Sequence, residues 1–447
     1  MKKTLVALPL VAGFAAAAYA GTSHLAGSQT QTEYQALLAQ LNKQLPLVFV
    51  NESYDAGISS SEAITRVMTS QSADADVLFR LHHDISHSPV QMSDTGVKVG
   101  EVSILTTLHD TESMPQELIK AFDDEHPFKM LTGVKITGQI DNEITVSSFN
   151  VDSDEVSINW SGLTLDTLTD ADVTKGSGSA GSISFKEVAT GGVMSVKESP
   201  FSFDLEHHGD SIYTGTTDLS FNEVELQNPS MPAPISFGRF SVKTDTKMSE
   251  GELDIGTQLA VSDISSMLPI KQATMNFDLK KLLADGFRQY NGLMRDLAKN
   301  PETASEAFSS QIGEAVLAMF DNGSSLGVEL ALSNDEGDVN ANLRLGVKET
   351  GQEGMTADAL DKIVTGRDIL NVLSFDGAMY AEIAALAQTP VMMMLGFAGD
   401  YITVGEDAIT SEVLLEGSTL MVNGVEIPLD LMLGDMLDMP LADLMRM

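Results

Sequence analysis

The 447-residue chain contains no cysteine. Disulfides, thiolate catalysis and cysteine-ligated metals are therefore excluded. Basic residues are scarce, 26 Lys plus Arg against 64 Asp plus Glu, for a net charge of −38. Phosphate recognition needs clustered cations, so nucleic acid and anionic headgroups are poor partners. Catalytic signatures are missing too. There is no Gly-x-Ser-x-Gly elbow, phosphate loop, dinucleotide fingerprint or His-Glu-x-x-His. Asp152-Ser-Asp-Glu lacks the glycine and distal glutamate of a calcium loop. No catalytic residue, cofactor or metal ligand is assigned on this basis. After the N-terminus no apolar run is long enough to span a bilayer, and Val391–Ala398 is too short. No repeat of fixed period emerges.

Charged residues are 20% and apolar ones 43% of the chain, so the acidity does not signal disorder. The length allows a large core and two or three sub-domains. Between Val134 and Leu279, apolar and polar residues alternate: Ile183 and Phe185, Phe201 and Phe203, Leu219 and Phe221, Phe237 and Phe240 to Val242. Period-two patterning places one strand face on a core and the other in water, the mark of antiparallel sheet. The fold class expected is α+β, predominantly antiparallel β, with a long curled or sandwich-like sheet. Trp160, the single tryptophan, falls in a strand and has a packing role by default.

Residues 1–21 read as an export leader. Lys2 and Lys3 precede an apolar or small segment, and Ala18-Tyr19-Ala20 has the small-x-small pattern of a cleavage site. Cleavage yields a soluble periplasmic protein; retention anchors it to the inner membrane. Residues 22–46 form an N-terminal helix or stalk, with Tyr34, Leu37, Leu38, Leu41 and Leu45 at helical spacing before Pro46. Residues 47–280 make a β-rich body. Residues 281–322 carry two helical stripes separated by Asn300-Pro301, a helical hairpin. Residues 323–447 form an α+β region with a closing meander, where Asn423-Gly424 marks a two-residue hairpin.

Two histidine groups invite a search for chemistry: His82, His83, Asp84 and His87, then His207, His208 and Asp210. His83 and His87 would share a face on a helix, as zinc ligands can. Their context is strand, however, where residues four apart lie roughly 13 Å from each other. One ion would require the two groups to meet in space, and turn or edge-strand polarity is the simpler reading.

Glu52-Ser-Tyr-Asp-Ala-Gly-Ile-Ser-Ser-Ser resembles a Tyr-x-x-Gly-x-Ser-Ser element of the YdgA-like family, gammaproteobacterial envelope proteins of unknown function. Tyr54 and Gly57 carry that match. His87-Ser88-Pro89 is similar to the family's His-Gly-Pro element, with serine in place of glycine. Gln289-Tyr290-Asn291 with Asn300-Pro301-Glu302, and Gly417 to Leu429 around Asn423 and Gly424, resemble its helical segment and closing hairpin. Departures are Ala56, where a basic residue is expected, and a shortened stretch near 387–399. The resemblance implies an envelope location and a β-rich body, with no accepted catalytic residues.

The function expected is a non-enzymatic exported envelope protein that binds an apolar, lipid-like ligand or acts in envelope assembly. The alternatives are an unrecognised hydrolase or metal enzyme, and a purely structural protein–protein scaffold. A candidate apolar groove comprises Met392, Met393, Met394 and Phe397 with Phe185, Phe203 and Phe221. Oligomeric state is left open.

Overall fold

The computed structural model describes residues 34–35, 38–39, 42, 47–57, 60–69, 77–86, 90–93, 96–99, 102–110, 121–122, 127–135, 137–209, 212–231, 233–265, 270–299, 306–321, 323–348, 366–386, 401–429 and 433–439. The fold is predominantly antiparallel β, 66% strand, with few helices. No helix among the described residues is long and apolar enough to cross a membrane. The chain divides into two compact units. The first comprises residues 1–232 and 291–309, the second 233–290 and 310–447.

The first unit begins with β1 (Val48–Ala56), β2 (Ser60–Met68) and β3 (Val77–Ser86), then the small hairpin β4 (Val90–Ser93) and β5 (Gly96–Val99). It continues with β6 (Val102–Asp110), β7 (Phe128–Val134), β8 (Ile140–Val146), β9 (Phe149–Asp152), β10 (Val156–Trp160) and β11 (Leu163–Asp170). β12 (Val173–Ala180), β13 (Ile183–Glu187), β14 (Val193–Val196), β15 (Ser199–His207) and β16 (Tyr213–Gln227) complete it. Every pairing is antiparallel, and the ladder runs β1-β2-β3-β6-β7-β8-β11-β12-β15-β16.

Eight of these strands are four longer ones, each interrupted by two residues. β8 and β9 flank Ser147-Ser148, β10 and β11 flank Ser161-Gly162, β12 and β13 flank Gly181-Ser182, and β14 and β15 flank Lys197-Glu198. The register is the same on both sides of the break. Leu163 faces Val146 and Trp160 faces Phe149; Ala180 faces Ser199 and Ile183 faces Val196. The apolar set changes parity there, from Ile144 and Val146 to Phe149 and Val151, and from Leu165 and Leu163 to Trp160 and Ile158. One extra residue per strand, at the same level in neighbouring strands, preserves pairing while the core face is carried across a crease. Small and polar residues suit it. Gly162, at φ +98°, has no room for a side chain, because a Cβ would lie 2.6 Å from the Val146 carbonyl oxygen. Ser161 N–H donates to Ser182 O at 2.9 Å and Gly181 N–H to Gly162 O at 2.7 Å, so the backbone stays paired through the crease. In β16 the same level is marked by Glu223, at φ 45°.

The core of this unit lies on one face of β2–β11, where Val67, Val134, Ile144 and Leu165 are buried. Tyr34 and Leu38, from the N-terminal helical residues, are buried in the same cluster. Asn42 binds the edge of β1 as a neighbouring strand would, donating to Phe49 O at 2.8 Å and accepting from Phe49 N–H at 2.6 Å. Phe203 lies over Gly176 and Phe201 over Gly178, ring on bare backbone across paired strands.

The second unit comprises β17 (Ile235–Ser249), β18 (Glu252–Ser262), β19 (Gln272–Leu283), β20 (Ser325–Ser333), β21 (Asp338–Val347) and β22 (Leu373–Glu382). β23 (Thr403–Val404), β24 (Ala408–Glu416), β25 (Thr419–Val422) and β26 (Val425–Pro428) follow. It is an antiparallel meander in which each long strand pairs with the next, β22 pairs with β24, and β24 with β25. Helices Ala284–Lys299 and Glu306–Leu317 occupy the β19–β20 connection. The stretch 372–399, apolar and methionine-rich in sequence, contains β22, a strand paired on both edges. The C-terminal tail contributes a short 3₁₀ helix, Gly434–Asp438, tied to Arg367 by Asp438 at 2.8 Å. The segment 357–364, helical by pattern, lies outside the described residues.

Candidate functional site

The histidines do not assemble into one site. β3 and β15 are separated in the ladder by five strands, so His83 and His207 stand six strand spacings apart, roughly 29 Å along the sheet. His87, Pro89 and Asp210 lie outside the described residues. His82 and His83, being adjacent on a strand, point to opposite faces. His82 is 3.9 Å from Glu62 and 3.7 Å from Asp84. His207 packs against the Tyr213 ring at 5.0 Å, and His208 Nε2 is 2.7 Å from Thr214 Oγ1. Among the described residues no group of three or more His, Asp or Glu side chains could hold a metal ion.

His83 is half-buried on the core-facing side of β3. Its Nε2 is 2.9 Å from Thr65 Oγ1 and its Nδ1 2.9 Å from Thr106 Oγ1. Thr65 is also hydrogen-bonded to the Tyr34 hydroxyl. A neutral imidazole offers one donor and one acceptor, which two rotatable hydroxyls can match. Burial, with a smaller contribution from neighbouring His82, pushes the His83 ring down to about 3. Burial also pushes the Tyr34 phenol up to about 12. Tyr54 stacks obliquely on Tyr34 at 5.7 Å, and its buried hydroxyl has no hydrogen-bond partner among the described residues. Gly57 is required by the turn that follows, where a Cβ would lie 2.1 Å from Ser60 O. Asn423 and Gly424, at φ 50° and 77°, form the β25–β26 turn, and Asn423 Oδ1 accepts from Glu412 N–H at 2.8 Å. The described motif residues thus hold turns and packing.

Of the sequence-derived groove, Phe185 is exposed at 38%, while Phe203 and Phe221 are half-buried. Phe203 is engaged on Gly176. Met392, Met393, Met394 and Phe397 lie outside the described residues, as do Ala18 and Ala20.

The open apolar surface is in the second unit. Along one face, cross-strand rows read Val242-Leu259-Met275-Leu330-Ala341-Met379-Ser411 and, beside it, Phe277-Val328-Leu343-Gly377-Val413. The opposite face of the same strands carries Lys243-Gln258-Asn276-Glu329-Asn342. Gln258 donates to Asn276 at 3.1 Å and Asn276 to Glu329 at 3.2 Å. Polarity therefore assigns the water side without ambiguity. Yet Leu343 remains 45% exposed, Leu330 36% and Leu345 38%. Among the described residues the apolar face is covered at its margins. Ile383–Leu386 closes one end over Ala381 and Ile409, and Leu253 and Leu282 are buried near the end of β19, where Leu283 N–H donates to Met319 O at 2.7 Å. Between them a cavity of about 320 Å³ opens over β20–β24. Sequence alternation announced this face in β20 and β21, but nothing in it says the face stays uncovered.

The molecule thus belongs to the class of antiparallel-sheet proteins with one sheet face left open to an apolar cavity. More particularly, the chain belongs to the family described as "Bacterial protein of unknown function (DUF945)", which it matches over residues 1–430. No curated protein and no solved structure matches it.

Proposed function

We infer that this chain is a non-enzymatic, exported envelope protein that holds an apolar, lipid-like ligand against the sheet of its second unit. The observation that carries the reading is the apolar face around Leu330, Leu343 and Leu345, partly exposed about a cavity at the lower end of ligand-site volumes. Exposed contiguous apolar patches on acidic, water-facing proteins mark binding surfaces. Export rests on Lys2, Lys3 and the Ala18-Tyr19-Ala20 pattern, and the YdgA-like, gammaproteobacterial assignment on the ordered motifs from Tyr54 to Gly424. Such a leader delivers the apolar face to a compartment bordered by membrane, where lipid-like molecules are available.

Two experiments test this. Protein purified without detergent is extracted with organic solvent and the extract weighed by mass spectrometry; the protein is also titrated with an uncharged fluorescent probe that brightens in apolar sites. The expected result is a saturable probe site with about one ligand per chain, weakened by Leu343→Asp. Absence of saturable binding to delipidated protein overturns the ligand reading. A reporter active only in the cytoplasm, fused at residue 60, is expected to be silent; a bright fusion overturns export.

A further inference from the structure

Resting on the apolar-ligand reading, we propose that the second-unit cavity takes the hydrocarbon chain of a single-chain amphiphile whose headgroup is uncharged or cationic. Gly377 and Ala341 would set the seat of that chain.

The cavity wall argues for hydrocarbon alone. Leu330, Leu343, Phe375, Met379, Val413 and Ile402 supply most of it, and among the described residues no charged side chain lines it. Its polar side chain among the described residues, that of Ser411, is already matched within the protein, the Oγ donating to Tyr401 O at 2.8 Å, while the Asn342 side chain lies on the opposite face, where Oδ1 accepts from Ala378 N–H at 3.0 Å. The backbone of β21, β22 and β24 is paired in the ladder. A polar group inserted here would lose its hydration without an equivalent replacement, which is unfavourable. A hydrocarbon segment loses nothing and removes exposed leucine surface from water.

Along β22 the inward residues are Phe375, Gly377, Met379 and Ala381. Gly377 faces Leu343 on one side and Val413 on the other, and Ala341 lies beside it opposite Met379. Two small residues among large ones line the middle of the face, and a Cβ added at Gly377 would meet the Leu343 side chain at 3.4 Å, so bulk introduced there competes directly with whatever the face holds. The volume, near 320 Å³, suits one chain and is small for a two-chain lipid. Ile383–Leu386 stops the seat at one end, so the headgroup projects from the other, where Leu345 is exposed.

The net charge of the chain weighs against an anionic headgroup. The stopped end carries Asp335, Glu336, Asp338, Glu382, Glu406 and Asp407, with Lys271 already 3.6 Å from Asp335. Toward the open end Lys280 lies 3.6 Å from Asp278, and Lys348 donates to Leu370 O at 3.0 Å. With a chain charge of −38, the field disfavours an anion at either end.

The test uses full-length protein and three twelve-carbon amphiphiles below their micelle concentrations: dodecyl maltoside, dodecyltrimethylammonium and dodecanoate. Each displaces the uncharged fluorescent probe. The neutral and cationic compounds are expected to displace it, with dodecanoate weaker by about tenfold at low ionic strength and the gap narrowing as salt is raised. Gly377→Leu is expected to weaken all three by about tenfold or more, with the circular-dichroism sheet signal retained. Should that variant lose its sheet signal, Ala341→Leu takes its place with the same expected loss. Dodecanoate binding as tightly as dodecyl maltoside at low salt overturns the headgroup assignment. Unchanged affinity in a folded Gly377→Leu or Ala341→Leu protein overturns the seat. In both cases the probe still binds, so the broader ligand reading survives; failure of the probe itself removes that reading instead.

Discussion

The two units use the same alternating strands to opposite ends. In the first, the apolar face of β2–β11 is covered, and several polar groups caught beneath are matched one to another, the Tyr54 hydroxyl being an exception among the described residues. Thr132 donates to Asn142 at 2.7 Å, and Asn142 donates to Thr167 at 2.8 Å. Thr169 and Thr174 share a bond at 3.0 Å, and His83 is held between Thr65 and Thr106. In the second, the corresponding face has hydrocarbon at its centre and, among the described residues, is closed at its margins. A covered face can carry polar groups, because fixed neighbours satisfy them. A face kept for a ligand does better without them, since an unmatched polar group would resist drying.

The comparison breaks most readily at its largest expected difference. Leu165→Ala, in the covered core, should cost about 2–5 kcal/mol. Trp160 fluorescence follows the first unit's unfolding in urea, because the only tryptophan lies there. A loss below about 1 kcal/mol would show that the first face is as loosely covered as the second.

The next effect depends on pH. His83 binds a proton far less readily in the folded chain, where its ring is pushed down to about 3, than in the unfolded chain near 6.5. Its neutral form therefore stabilises the fold fully above about pH 6.5, and that contribution is lost as pH falls toward 3. The whole effect is at most about 4–5 kcal/mol. Urea midpoints between pH 7 and pH 4 should fall more steeply for the native chain than for His83→Gln. Parallel slopes would remove His83 from the account of the core.

At the crease, Gly162→Ala forces a side chain into a positive φ against the Val146 carbonyl oxygen. A destabilisation of about 1–3 kcal/mol is expected in the same fluorescence assay. A neutral result would mean that the interrupted strands can flatten. Smallest is Leu343→Ala, on the open face, expected to cost no more than about 1 kcal/mol in ligand-free protein by circular-dichroism melting. Its loss should grow when the uncharged probe is bound, because a ligand that binds the folded state stabilises it.

Much of the β architecture was legible along the chain because period-two alternation and turn residues act locally. Strands within the alternating stretch from Val134 to Leu279 and the β25–β26 hairpin at Asn423-Gly424 lie where pattern places them. β22 carries no clean period-two signal, since Gly377, Ala378 and Met379 are small or flexible residues without alternating polarity. The crease had a signal of its own. Val146-Ser-Ser-Phe149, Trp160-Ser-Gly-Leu163 and Ala180-Gly-Ser-Ile183 each separate two apolar residues by a small or polar pair, breaking the alternation at corresponding places. Such a pair means little in one strand; its significance appears only when neighbouring strands align.

Local chemistry, then, settled the strands, their turns, the absence of thiol chemistry and the division of each strand into an apolar and a polar side. Tertiary structure decided which apolar sides are covered. His83 looked like a surface histidine and is half-buried and hydrogen-bonded on the core side of β3, because Tyr34 and Thr106, far away in sequence, pack against it. Phe203 looked like groove lining and rests on Gly176 of the paired strand. The open face emerged at Leu330, Leu343 and Gly377, whose alternation resembles that of any core strand. Burial is a property of what packs above a strand, and period-two pattern records only which way its side chains point.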